Sequence, residues 1–226
     1  MRKTMKKEII NYLSILGVDA RYVSLYGGYI FVNNLKFSRF SRKREELFQS
    51  KYPECNVVRS KVFQKMCIRA SRNLSKTLNP GDKILVKQNG TCMDLILYLI
   101  LEPYTRKYGI EIIPQDQKTK NTFKPDSVAS SLTLDQELGK LVNQMFSGEK
   151  IKPSMMRTEK NGIKVIYPLI NIPDSWICAW AQKIYPECKI LPAENKSKDL
   201  IEFLENYVPD VRENMLKSAI FANQIN

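Results

Sequence analysis

Residues 81–113 constrain the fold more than any other stretch. Pro80-Gly81 breaks the chain, and a short apolar run, Ile84-Leu85-Val86, follows. A small polar turn comes next, Gln88-Asn89-Gly90-Thr91, and then a long apolar segment, Leu95–Leu101. This order predicts a buried strand, a tight turn and a buried helix. Gly109 is placed to end the helix, and Ile110–Ile113 supplies a second short strand. Strands joined through a helix run parallel, so an α/β fold with a parallel sheet flanked by helices is expected. The N–H groups that open such a helix make a natural phosphate site, but a single glycine at a strand–helix turn can equally be only a turn.

The same alternation continues downstream. Asp126–Ser130 reads as a third strand, and Thr133–Phe146 as a helix with Leu134, Leu138, Leu141, Val142 and Met145 on one stripe. Thr133 and Gln136 fit a capping box, and Gly148 fits a stop. Gly162–Leu169 is a further strand, Pro173–Tyr185 a helix, and Ser197–Phe221 two helices broken at Pro209. Pro114–Pro125 and Lys150–Lys160 read as loops. Upstream, residues 1–17 form a short basic helix. Arg21–Leu35 is a hairpin broken at Gly27-Gly28, with Asn33-Asn34 as the next turn. The chain is thus divided into a basic appendage, 1–58, and an α/β domain with C-terminal helices, 59–226. Tyr-Pro-Glu-Cys occurs at 52–55 and again at 185–188, with no meaning assigned to the repeat.

Charge is unevenly spread along the chain. Residues 1–80 hold 17 Lys and Arg against 5 Asp and Glu, whereas residues 81–226 hold 19 against 18. Nearly all of the net +13 therefore lies in the first third, the footprint expected for a polyanion partner. Within it, Lys61, Lys65, Arg69, Arg72 and Lys76 recur at helical spacing and fall on one stripe, opposite Phe63, Met66, Cys67, Ala70, Leu74 and Leu78. No acid lies between Glu54 and Asp82 to relieve their repulsion. Arg39, Arg42, Lys43 and Arg44 are interleaved with Phe37, Phe40 and Phe48, a pattern suited to RNA phosphates and bases. Phe40 and Phe48 are expected to face the core instead.

Other chemistries are removed by composition. The chain has no histidine and no Cys-x-x-Cys, which excludes the usual zinc sets and the Ser-His and Cys-His nucleophiles. No metal site is expected. Cys55, Cys67, Cys92, Cys178 and Cys188 are expected to be reduced thiols. There is no apolar run long enough to span a membrane and no leader pattern, so a cytoplasmic protein is expected.

The order of elements resembles the PP-loop ATP pyrophosphatases, nearest the cytosolic tRNA 2-thiolation proteins that modify wobble uridine. That family's phosphate loop reads Ser-Gly-Gly-x-Asp-Ser. The matching positions are Asn89, Gly90, Thr91, Cys92, Met93 and Asp94: one glycine survives, and Met93 replaces the aspartate. A second family motif, His-Asn-Leu-Asp-Asp-Glu, is matched by residues 131–137 without the histidine and with Gln136 for the second aspartate. Pro168-Leu169, Pro173-Asp174, Val208-Pro209 and Arg212 complete the similarity.

The resemblance implies a scaffold whose nucleotide positions would be Asn89, Gly90, Thr91 and Asp94. It also implies loss of the metal and sulfur chemistry, so no catalytic residue is expected. Three readings follow. The first is a non-catalytic, tRNA-binding subunit that pairs with an active PP-loop thiolation subunit and needs no cofactor. The second is a divergent tRNA-modifying enzyme that uses Mg-ATP, with Asp94 or Asp135 at the metal and Cys92 or Cys188 as the thiol. The third is a stand-alone RNA-binding module. In all three, the RNA surface is Arg39, Arg42, Lys43, Arg44 and the stripe Lys61, Lys65, Arg69, Arg72 and Lys76.

Overall fold

The computed structural model describes residues 3–87, 89–115, 124–156, 159–160, 162–189 and 195–224. Helix α1 (Lys3–Ile15) leads into strands β1 (Val23–Tyr26) and β2 (Tyr29–Val32), which pair as an antiparallel hairpin. Gly27 and Gly28, at φ +55° and +83°, form its two-residue turn, a conformation that favours glycine at both positions. Asn33-Asn34 does not make the next hairpin turn as expected. The Asn34 side chain instead accepts from the Phe37 N–H and caps the short helix α2 (Leu35–Ser38), because an Asx side chain serves a helix start equally well. Helix α3 (Arg42–Lys51) follows, and β3 (Asn56–Val58) joins β2 in parallel to close a three-stranded sheet, order β1-β2-β3. Phe40 and Phe48 are fully buried there with Ile9, Leu13 and Val23, as the spacing predicts.

Helix α4 (Lys61–Thr77) leads to β4 (Lys83–Lys87) and α5 (Cys92–Leu101). Glu102 and Pro103 interrupt the apolar run, and a separate turn, α6 (Tyr104–Lys107), precedes β5 (Glu111–Gln115). Then come β6 (Ser127–Ala129), α7 (Leu134–Phe146), β7 (Glu159–Lys160), β8 (Ile163–Ile166), α8 (Asp174–Ile184), α9 (Asn195–Glu205) and α10 (Val211–Gln224). The second sheet has the order β5-β4-β6-β8-β7, with four parallel strands and β7 antiparallel at the edge. β7 lies in the stretch expected to be a loop; its two residues give no alternation to read. Of the two expected loops, residues 116–123, 157 and 158 lie outside the described residues.

β4 is the first strand of this sheet in chain order, and its partners β5 and β6 lie on opposite sides of it. The winding therefore reverses at β4, and a crevice is expected beyond its C-terminal end, where Asn89–Thr91 lies. Packed side chains join the two sheets. Phe31 of β2 sets its ring 5.7 Å from Phe63 of α4 and 5.4 Å from Trp180 of α8. Glu102, fully buried, pairs with Lys6 of α1 and Arg106 of α6, each at 2.6 Å, and accepts from the Leu25 N–H at 3.2 Å. No helix among the described residues is long and apolar enough to cross a membrane.

Candidate functional site

Thr91 caps α5 by accepting the Asp94 N–H at 3.1 Å. This turn brings the Asp94 carboxylate back over the loop, where its Oδ2 accepts the Asn89 N–H at 3.1 Å. Gly90 sits at φ +76°, so a side chain there would be strained. Asn89 and Gly90 are exposed, whereas Thr91 and Asp94 are buried. The four positions matched to a phosphate loop are therefore together, with a carboxylate of the chain itself on one of the loop amides.

The segment after α8 closes the loop from the other side. The Cys92 N–H donates to the Lys189 carbonyl at 3.0 Å, and the Lys189 N–H donates to the Gly90 carbonyl at 3.1 Å. Cys92 and Cys188 are joined by a disulfide, with Cα atoms 5.1 Å apart. This corrects the expectation of five reduced thiols: the fold brings together two residues 96 apart in sequence, which no spacing rule reveals. Cys55, Cys67 and Cys178 are free.

The repeated Tyr-Pro-Glu-Cys has a structural meaning after all. Tyr52 and Tyr185 each end a helix as its C-cap, with nearly equal dihedrals (φ −127°, ψ 69° and φ −135°, ψ 77°). Each cysteine N–H then donates to its tyrosine carbonyl at 3.1 Å. The tetrapeptide is a helix-ending turn used twice. Its second copy delivers both Tyr185 and Cys188 to the site.

A cleft of about 380 Å³ opens beside the loop, lined by Tyr26, Asp94, Tyr98, Tyr185, Glu187 and Cys188 among others. Tyr26 comes from the hairpin tip and packs its ring 5.5 Å from Tyr98 and 5.7 Å from Tyr185. The Tyr185 hydroxyl donates to the Tyr26 carbonyl at 3.4 Å, and burial pushes its phenol pKa up, so it stays a neutral donor. Sequence reasoning marks none of these three tyrosines as a site residue. They lie on three separate elements, and only the repeated tetrapeptide carries any signal.

Asp135, the other carboxylate considered for a metal, is placed differently. It forms an ion pair with Arg212 and accepts the Asp174 N–H at 2.5 Å. Among the described residues no three His, Cys, Asp or Glu side chains converge on a possible metal position.

The predicted basic residues divide into two groups. Lys61, Lys65, Arg72 and Lys76 lie along α4, all four exposed. Arg69 is half-buried: it pairs with Glu213 at 2.9 Å, donates to the Asn171 carbonyl at 3.0 Å and lies 4.4 Å from the Trp176 ring. Arg39, Arg42 and Lys43 cluster near the start of α3, with Arg42 3.4 Å from Glu45. Arg44 is half-buried and donates to the Arg39 carbonyl. Of the nearby rings, Phe37 is exposed, against the fully buried Phe40 and Phe48.

No known family profile matches the chain. A stretch of 86 residues is 33% identical to a probable sulfurtransferase of Methanocaldococcus jannaschii, covering 37% of this chain and 25% of that protein. The chain thus spans a quarter of that relative's length. Among solved structures, the fold is similar to that of the U34-tRNA thiolase NcsA from Methanococcus maripaludis, which was solved with its 4Fe-4S cluster. The TM-score is 0.55, over 76% of this chain and 83% of that one. At 14% identity the likeness is one of fold. A cluster of that kind is held by several cysteine thiolates. Here Cys92 and Cys188 are tied to each other, and no third ligand converges on them among the described residues, so the residues present do not fit one.

Proposed function

We propose that this chain is a non-catalytic, tRNA-binding subunit of a tRNA wobble-uridine 2-thiolation assembly, working beside an active PP-loop partner. The carrying observation is the self-occupied loop. Holding ATP in this crevice needs free loop amides and a carboxylate to associate with magnesium. Here the Asn89 amide is bound to Asp94 and the Cys92 amide to Lys189. Asp135 is neutralised by Arg212. The similarity in fold to a tRNA thiolase and in sequence to a probable sulfurtransferase supports the assembly. The cations of α4 and of the start of α3 support the RNA.

Titration calorimetry tests this reading. Mg-ATP should give no heat, while tRNA should bind with a strong salt dependence. The double variant Arg72→Ala, Lys76→Ala should flatten the log–log salt slope by about 1.4 to 1.8, from roughly 0.7–0.9 for each phosphate that is no longer neutralised. These two residues isolate the charge effect better than Arg69, whose removal also breaks its contacts to Glu213 and Trp176. An unchanged slope would show that the stripe is only a solvated face. Co-purification with a PP-loop protein tests the partner.

A second reading is favoured by one observation, the Cys92–Cys188 pair at the mouth of the loop. In a reducing compartment, disulfides are more often redox-active than structural. On this reading the chain is a divergent ATP-dependent tRNA-modifying enzyme, with one of these cysteines as its thiol. AMP release from Mg-ATP and tRNA by the reduced protein would place it first.

A further inference from the structure

The cleft between the hairpin tip and α5 carries chemistry that tRNA backbone binding does not use. Its floor is Asp94, only 6% exposed. One oxygen of this carboxylate accepts the Asn89 N–H, while Oδ1 has no donor among the described residues. A carboxylate this deep ordinarily collects several donors or a cation. Among the described residues no lysine or arginine lines the cleft, and the other charged group there, Glu187, is again an acceptor. The walls are the rings of Tyr26, Tyr98 and Tyr185.

Aromatic walls with acceptor-only groups complement a flat ring that has N–H donors on its edge. Unpaired bases are read in this way, by stacking on tyrosine and by hydrogen bonds to their Watson–Crick edge. Guanine places two adjacent donors there, N1–H and the N2 amino group. Adenine and cytosine place one amino group beside an acceptor nitrogen. Uracil places one N–H between two carbonyls, which a carboxylate repels. The cleft volume, about 380 Å³, suits one nucleoside, and two carboxylates disfavour a phosphate inside it.

We propose that this cleft binds one unpaired guanine, stacked against the tyrosines, with N1–H and N2–H donated to Asp94 and Glu187. The RNA-binding reading supplies only the source of that guanine; the preference of the cleft is a property of free nucleosides.

Saturation-transfer NMR with guanosine, inosine, adenosine and uridine tests it on the full chain. Guanosine should bind at least tenfold tighter than uridine, with inosine, which lacks the N2 amino group, between them. Asp94→Asn turns the open acceptor into a donor and should erase the preference. Glu187→Gln, at an exposed position that does not endanger the fold, should reduce it at least threefold. Equal binding of all four nucleosides, no binding of any, or an unchanged preference in Glu187→Gln would overturn the proposal. So would displacement of bound guanosine by Mg²⁺, which would make Asp94 a cation site. Loss of tRNA affinity in Arg72→Ala, Lys76→Ala bears only on the RNA surface, so the two readings fail separately.

Discussion

Helices α5 and α7 leave neighbouring parallel strands and begin alike, each capped by a threonine with an aspartate in the first turn. The difference lies in what meets the aspartate. Asp135 of α7 is answered by Arg212 from α10 and by the Asp174 N–H, so charge and hydrogen bonds from distant segments close that entrance. Among the described residues Asp94 of α5 is answered by one N–H from its own loop, and it lines a cleft. A covalent bond and two peptide hydrogen bonds close the α5 entrance instead. The same local start thus makes a structural joint in one place and leaves an open acceptor in the other.

The strongest way to break this comparison is Asp135→Ala. It leaves the Arg212 guanidinium, 16% exposed, with the more exposed Glu205 as its remaining ion pair among the described residues. The expected cost is about 3 kcal/mol in urea unfolding. A loss below about 1 kcal/mol would show an exposed-type pair and no joint at α7.

Removing the covalent closure, by Cys188→Ser or by reductant, should cost about 2–4 kcal/mol, because the disulfide closes a long loop in the unfolded chain. Mg-ATP calorimetry on the reduced protein then sharpens the picture. New heat would mean that the 188–189 segment blocks the loop. Continued absence of heat would assign the block to the Asp94 carboxylate.

Thr91→Ala and Thr133→Ala should each cost about 1 kcal/mol. Thr133→Ala should cost more, since the Thr133 side chain also hydrogen-bonds the Asp174 carboxyl. Equal costs in urea unfolding would show that the hydrogen bond to Asp174 adds nothing.

The smallest effect is on pH dependence. Burial holds the Asp174 carboxyl above its ordinary 3.8, outweighing the Thr133 hydrogen bond and the Lys198 charge. The folded chain therefore keeps a proton that the unfolded chain has released. This contribution to stability is complete below pH 3.8 and is lost as the pH rises through the folded-state value. Asp174→Asn should flatten the stability–pH curve just above 3.8. An unaltered curve would show that Asp174 titrates normally.

The α4 stripe, the β4–α5 turn and the Thr133 capping box are legible in the sequence because each is set within one or two helical turns. The same local logic assigns Phe40 and Phe48 to the core. The features that give the site its character lie outside that range. Cys92 meets Cys188, Asp135 meets Arg212 and Tyr26 meets Tyr98 only once the sheets are assembled. Asn33-Asn34 misleads for a different reason: the same side-chain acceptor suits a turn and a helix cap. Arg69 shows the limit of periodicity, which places a cation on a face without showing that Trp176 and Glu213 already cover it.

Glu102 has a consequence for how the chain can be handled. Its carboxylate is sealed from water, and two of its partners, the Lys6 ammonium and the Leu25 amide, come from the first 58 residues. A fragment starting at residue 59 would keep, among the described residues, Arg106 alone against that charge and would strip Phe63 and Trp180 of the Phe31 ring. The N-terminal segment is in effect a keystone, and a chain cut behind it should expose apolar surface and aggregate.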